Sequence, residues 1–306
     1  MYWDDKPYYS LNYYLRNKFG EKVFKIAIDG GFTCPNRDGT LGYGGCIYCS
    51  ESGSGDFTSD SSLSIKKQLE EGKKRISKKF KGNKFIAYFQ AYTNTYDSIE
   101  NLEKKYMAAI DEDYIVGISI ATRPDCIDEN IALLLNKINK IKPVWVELGL
   151  QTIHDKTAKF IRRGYQLDCF ENCLTLLNKY NLDVIVHLIL GLPYETHQDI
   201  ISSIMYINTK KIHGVKLQLL HVLKNTDLAS VYYNNEFRVL DRNEYISLII
   251  DCVEILRKDI VIHRITGDGP RNLLIAPKWS TDKKSILNQL LLEFDIRNTY
   301  QGKNYH

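Results

Sequence analysis

Val23-Phe24-Lys25-Ile26-Ala27-Ile28 and, five residues further on, Cys34-Pro-Asn-Arg-Asp-Gly-Thr-Leu-Gly-Tyr-Gly-Gly-Cys46-Ile-Tyr-Cys49 together decide how the rest of the chain is read. An apolar, strand-like run feeds a loop that holds three of the seven cysteines, four glycines and a proline within sixteen residues. Such a loop can wrap around a bound group. Thiolates select soft metals, zinc or iron–sulfur. Three close thiolates with no His among them leave one coordination position without a local protein ligand. Two readings stand here. One is a four-iron cluster whose open iron takes a small molecule through amino and carboxylate groups. The other is a zinc knuckle with its fourth ligand at Cys126, Cys169, Cys173 or a His.

Outward from that stretch, strand and helix alternate. Phe85–Phe89, Tyr114–Ala121, Val144–Leu150, Val184–Leu190 and Val215–Val222 follow 23–28 as strands, each a nearly continuous apolar run of the kind seen when both faces are covered. Between them lie helices at about 65–80, 99–110, 129–141, 168–180 and 196–208, with apolar residues at helical spacing such as Ile131, Leu134, Leu135 and Ile138. Alternation with connections this long implies parallel strands and right-handed crossovers. After Val222 only a helix at 243–257, a strand-like segment Ile260–Thr266 and a terminal helix at 282–294 remain, too few for a closed eight-stranded barrel. The expected fold is α/β: an open, partial (β/α)6 TIM-like barrel over about 20–225, with a C-terminal α/β extension over 226–306 packed on it as a single domain. Residues 2–20, rich in Tyr and Trp, read as a short helix closed by Gly20 at the bottom or rim of that barrel.

Composition agrees with an ordinary globular protein: 44% hydrophobic and 25% charged residues, with a net charge of +4. No run of about 18 apolar residues occurs and the N-terminus lacks the apolar core of a signal peptide, so a cytoplasmic location with no membrane partner is expected. An odd number of cysteines in a chain this long argues against a disulfide framework. From Lys66 to Lys84 nine Lys/Arg, Lys79 among them, stand against Glu70 and Glu71; this is a solvated helix face or a contact for a phosphate backbone.

In a parallel barrel, ligands sit at the carboxyl ends of the strands. The second strand is followed by Gln90–Thr95, whose Gln90, Thr93 and Asn94 are able to hold an amino group or a ribose. The third ends in Thr122-Arg123-Pro124-Asp125. The fourth carries Glu147-Leu-Gly-Leu-Gln151, and a carboxylate inside an apolar run needs a partner; Arg162-Arg163-Gly164 follows, where a guanidinium could fork onto a carboxylate. The fifth contains His187 and ends in Gly191-Leu192-Pro193-Tyr-Glu-Thr196, and the sixth ends in His221. Each His is either a proton donor or ligand, or a satisfied core residue.

The set Cys34…Cys46-Ile-Tyr-Cys49, Thr122-Arg-Pro-Asp125, Glu147-Leu-Gly-Leu-Gln151, Arg163-Gly164 and Gly191-Leu-Pro-Tyr-Glu-Thr196 resembles the radical S-adenosylmethionine (SAM) superfamily, in the branch of the Elongator catalytic subunit and the oxygen-independent coproporphyrinogen oxidases. Gly53-Ser-Gly-Asp56, His263-Arg-Ile-Thr-Gly-Asp268 and Ala276-Pro-Lys-Trp279 are similar to its YtqA/YhcC-type subfamily. The resemblance implies a radical SAM enzyme in which Cys34, Cys46 and Cys49 ligate a [4Fe-4S] cluster and the fourth iron site takes SAM. Reduction of the cluster would then cleave SAM to methionine and a 5′-deoxyadenosyl radical that abstracts hydrogen from a substrate. It places Tyr48 by the adenine, Gln151 on the ribose and Arg163 on the SAM carboxylate. Gln90, Thr93, Asn94, Arg123, Glu147, His187 and Leu192 complete the implied SAM-contacting set. The chain departs from the familiar pattern in its cysteine spacing, eleven residues then two, in Gln90–Thr95 replacing Gly-Gly-Glu, and in His187 where porphyrinogen-oxidase relatives carry Asp. The subfamily's link to the tRNA wobble-uridine side chain makes tRNA the expected substrate, with an electron donor such as flavodoxin or ferredoxin as partner and DNA not expected. Acetyl transfer is not expected without Elongator's second domain. The alternatives are a radical SAM enzyme acting on a small metabolite or a protein side chain, and a non-catalytic zinc-stabilised RNA-binding module.

Overall fold

The computed structural model describes residues 2–78 and 80–305, so Met1, Lys79 of the basic run and His306 lie outside the described residues. The chain runs α1 (Leu11–Phe19), β1 (Val23–Ile28), α2 (Ile65–Ser77), β2 (Lys84–Phe89), α3 (Ile99–Ile110), β3 (Ile115–Thr122), α4 (Glu129–Asn139), β4 (Val144–Gln151), α5 (Asp155–Phe160), α6 (Leu167–Lys179) and β5 (Asp183–Leu190). It continues with α7 (His197–Asn208), β6 (Gly214–Leu219), β7 (Val222–Leu223), α8 (Asp227–Tyr233), α9 (Arg242–Ile255), β8 (Val261–Arg264), β9 (Leu274–Ala276) and α10 (Lys283–Ile296).

Strands β1 to β6 pair in chain order, every pair parallel, and the sheet curls into an open half-barrel. The C-terminal extension adds to it: β8 pairs parallel with β6, so the sheet has seven strands where six were expected in the barrel itself. A strand-like run of Val, Ile and His is too short to reveal by itself which sheet edge it joins. Val215–Val222 is not one strand. β6 stops at Leu219, and Val222–Leu223 turns away to pair antiparallel with β9, which leaves His221 between the two. The expected helix over 2–20 is confined to Leu11–Phe19, where the Ser10 hydroxyl accepts from the Tyr13 N–H and Gly20 closes the helix at φ 77°, a conformation that costs glycine little. The preceding residues instead form bridges, Ser10 lying parallel against Ile262 at the free edge of β8.

The apolar spacing does what it predicts. Ile131, Leu134, Leu135 and Ile138 of α4 are all buried, as are Leu102, Tyr106 and Ile110 of α3, and they pack against strands buried almost throughout. Ser64, Ser98, Asp128, Thr196, Thr226, Asp241 and Asp282 each cap a following helix by accepting a backbone N–H, which fixes where those helices start. Among the described residues no helix is long and apolar enough to cross a membrane.

Candidate active site

The three cysteines of the first loop line one cavity of about 260 Å³ at the carboxyl ends of the strands. The loop is held from two sides. Asn36 Nδ2 donates to the carbonyls of Arg162 (2.8 Å) and Arg163 (3.3 Å) and lies 3.6 Å from Cys46 Sγ, while Arg37 Nη2 donates to the carbonyls of Cys49 (3.0 Å) and Ser50 (2.6 Å). Burial raises the Cys46 thiol and pushes Cys49 up to about 11, the neighbouring thiols reinforcing this, while Arg123 on the first and Arg37 on the second pull the other way. Protonated thiols this hard to ionise would become thiolates only against a strong positive centre, which is what a metal cluster supplies. Among the described residues no three His, Cys, Asp or Glu side chains converge as closely as a single metal ion requires.

Around this loop the cavity is lined by Tyr48, Gln90, Thr93, Arg123, Glu147, Gln151, Arg163 and His187 of the expected set, together with Tyr165, Tyr88 and Arg264. Two expected residues are placed elsewhere. Asn94 is fully buried behind the lining and donates to the Ala121 carbonyl, and Leu192 packs in an apolar cluster with Ile47, Ile161 and Ile189 that backs the cysteine loop.

Gln151 is the most informative side chain. It ends β4 at φ 66°, a left-handed backbone unusual for a side-chain-bearing residue, and the β4–β5 register shifts between Gly149 and Gln151. The bulge re-aims Gln151 toward the cavity, where its buried Oε1 has no hydrogen-bond partner. A buried amide oxygen without a donor is uncommon and normally answers to something bound. Arg123 is gripped by Asp125 (Nε to Oδ1 2.9 Å, Nη2 to Oδ2 2.7 Å) and donates to the Arg163 carbonyl at 2.8 Å. Arg163 spends its fork on backbone: Nε and Nη2 on Tyr165 O, and Nη1 on Leu150 O and Thr152 O. That leaves one Nη2 hydrogen free for any other acceptor.

The partner sought for Glu147 is a whole network. The carboxylate has no exposed surface and accepts from Lys25 Nζ (2.7 Å), Ser119 Oγ (2.6 Å), His187 Nε2 (2.8 Å) and Lys216 Nζ. Burial works to raise its pKa, yet the attraction of Lys216 and Lys25 and the His187 hydrogen bond win, holding it well below the usual carboxylate range. Burial pushes Lys216 down to about 7 and His187 down to about 4. Sequence reasoning flagged Glu147 and His187 but not Lys25 or Lys216; a charged residue interrupting an apolar strand, the signal used for Glu147, also marks both lysines.

The donor set fits a [4Fe-4S] cluster with bound SAM: three thiols on one loop, with an unpartnered amide oxygen and two arginines, Arg123 and Arg163, lining the same cavity. A Radical SAM superfamily model matches residues 34–207, and a Radical_SAM C-terminal domain model matches 212–294. The uncharacterized protein YtqA of Bacillus subtilis is 42% identical over 299 residues, covering 98% of this chain and 93% of its own. More distantly, a tRNA uridine(34) acetyltransferase of Methanocaldococcus jannaschii is 28% identical over 200 residues, 64% of this chain and 35% of its own. Among solved structures, the archaeal Methanocaldococcus infernus Elp3 superposes with a TM-score of 0.68 at 18% identity, covering 91% of this chain and 64% of that one, a likeness of fold.

Proposed function

The chain belongs to the radical SAM superfamily, whose members use a [4Fe-4S] cluster and S-adenosylmethionine, and from that premise we propose that it acts on the wobble-uridine side chain of a tRNA. The observation that carries the placement of the chemistry is the meeting of Cys34, Cys46 and Cys49 with the unpartnered Gln151 Oε1 in one cavity. The three thiols would hold the cluster. The group supplies one-electron cleavage of SAM to a carbon radical that takes hydrogen from a substrate. The chain's own residues bind and orient. With SAM bound, Gln151 Oε1 would accept from its hydroxyl or amino group, Arg163 with its remaining Nη2 hydrogen and Arg123 with its spare hydrogens would hold its carboxylate, and Tyr48 would lie by the adenine. Arg37 and Asn36 keep the cysteine loop in position.

For the substrate, support comes from the tRNA uridine(34) acetyltransferase relative and from the basic face of α2, where Lys67, Lys74, Arg75 and Lys78 are exposed while Lys66 is drawn to Glu112. Nucleic-acid affinity from such a face falls steeply with salt. The chemistry is tested by anaerobic reconstitution with iron and sulfide, reduction with dithionite, and chromatography for 5′-deoxyadenosine after adding SAM. Native protein should form it and Cys46→Ala should not. A colourless protein that binds zinc and leaves SAM intact would overturn the reading. Filter binding to total tRNA across a salt series tests the substrate, and affinity that is absent or indifferent to salt would move the search to small metabolites and protein side chains.

A further inference from the structure

The half-barrel does not close. β1 and β8 are the two edges of the sheet, and between them opens a second cavity of about 570 Å³ that shares Tyr88, Gln90, Asp56, Phe57, Arg264 and Asp268 with the cysteine cavity. Lys25 reaches it from β1, Lys216 from β6, His263 and Arg264 from β8, and Arg75 from the basic face of α2 stands at its mouth.

The charge of this seam chamber is unbalanced. Lys25 and Lys216 share the single carboxylate of Glu147, and each ammonium has two acceptors for three N–H groups: Ser119 and Glu147 for the first, Tyr88 and Glu147 for the second. Arg264 is half-buried and, among the described residues, its guanidinium makes no hydrogen bond or ion pair. Of the acidic residues here, Asp268 is paired with Lys283, while Asp56 accepts, among the described residues, only from the Ser50 and Ser52 hydroxyls, which leave its charge in place, so four cations (Lys25, Lys216, Arg264 and Arg75) face two carboxylates (Glu147 and Asp56). His263 adds an independent sign, since both its ring nitrogens are buried without a partner and one of them must carry a hydrogen. A partnerless guanidinium, two ammonium groups with a spare hydrogen each and an unsatisfied imidazole around one space are complementary to an oxyanion.

We propose that this seam chamber binds an anionic group of the substrate, a carboxylate or a phosphate, through Arg264, Lys25 and Lys216, with His263 as a neutral donor. The ligand is called a substrate on the strength of the function proposed for the adjoining cavity. The open side of the barrel then has a purpose: a substrate entering past Arg75 sets its charged end in the seam and its reacting end beneath the cysteine loop.

The test is calorimetric titration of sodium phosphate, and separately of sodium acetate, into the cluster-loaded protein at constant ionic strength. At least one should bind saturably, and Arg264→Gln should weaken it about tenfold, the scale of one charge-assisted hydrogen bond. Arg75→Gln, an exposed change at the mouth, should weaken it by a smaller factor, and Arg238→Gln, whose guanidinium pairs with Glu244, should leave it alone. Preference for phosphate or for acetate assigns the group. Absence of saturable binding by either, equal binding in Arg264→Gln, or displacement by SAM, which would make the chamber part of the cofactor site, overturns the proposal. Native protein that forms 5′-deoxyadenosine yet binds no anion refutes the chamber alone. Anion binding without SAM cleavage refutes the radical chemistry and leaves the anion site standing.

Discussion

At the scale of single residues, a carboxylate with no exposed surface draws donors from four strands: Lys25 of β1, Ser119 of β3, His187 of β5 and Lys216 of β6 all turn to Glu147 on β4. Replacing Glu147 by Gln keeps the shape but removes the carboxylate that Lys25 and Lys216 share, so each must stay charged without a counter-charge or give up its proton, and breaking a buried pair in this way costs about 3–5 kcal/mol. Urea unfolding of Glu147→Gln should show that loss; a midpoint close to the native one would mean the lysines reach water. The buried histidines give a second prediction. Burial holds His187 and His221 neutral, each down to about 4, whereas an unfolded His takes a proton near pH 6.5. Their contribution is therefore fully present above about pH 6.5 and is lost as pH falls from there toward 4. Glu195, raised by burial to about 7, slopes the other way, its penalty growing as pH rises through the same window. Comparing melting temperatures of native protein and His221→Gln from pH 7 to pH 5 isolates the histidine term: the variant should lose less stability on acidification, and parallel curves would contradict the assignment. The cysteines, Gln151, Arg123 and Arg163 were legible because they sit in contiguous motifs at strand ends. Lys25, Lys216 and Arg264 were not, because they become one site only when strands far apart in sequence curl toward each other.

At the scale of elements, local patterning foretold most of the order. The 3.6-residue spacing gave α3, α4, α6 and α7, and continuous apolar runs gave β1 to β5, their observed ends within a residue or two of those expected. The short helices α5 and α8 and the two-residue β7 escaped, since one or two turns carry too few apolar positions to show a period. α2 contains a detail that periodicity alone could not explain: a glycine, Gly72, in its middle, normally a cost of about 1 kcal/mol relative to alanine. Its reason is contact. A Cβ at Gly72 would stand 2.2 Å from Ile26 Cγ2, so the bare backbone lets the helix lie close on β1. Gly72→Ala should thus invert the usual sign, destabilising by about 1–3 kcal/mol through overpacking despite the better helix propensity. Denaturant midpoints decide it, and a stabilised variant would show that the helix can simply ride outward.

At the scale of the whole molecule, the seventh strand depends on both ends of the chain. β8 is shorter than its neighbours and pairs with β6 on one side only, so its other edge would be open were it not for the N-terminal segment, whose Tyr9 carbonyl accepts from the Ile262 N–H. That segment is fastened in turn by Gln301, a fully buried amide near the C-terminus. Its Oε1 accepts from the Tyr9 N–H (2.8 Å), and its Nε2 donates to the carbonyls of Arg257 (2.7 Å) and Ile260 (2.8 Å). One side chain therefore joins the N-terminal segment, the turn before β8 and the tail, and it does so beside the seam through which the proposed anion site opens. Gln301→Leu fills the same space and leaves the Tyr9 N–H and the Ile260 carbonyl without partners, while the Arg257 carbonyl keeps only the Ile260 N–H, at about 1–3 kcal/mol for each unsatisfied group. The damage should be local. Hydrogen exchange at the amides of β8 and of residues 8–10 should speed by at least about tenfold, while β3 to β5, buried on both faces, keep their native protection. Acceleration spread evenly over all seven strands would mean that the seam edge and the barrel centre unfold as one unit, and that the open side of the barrel is no softer than its core.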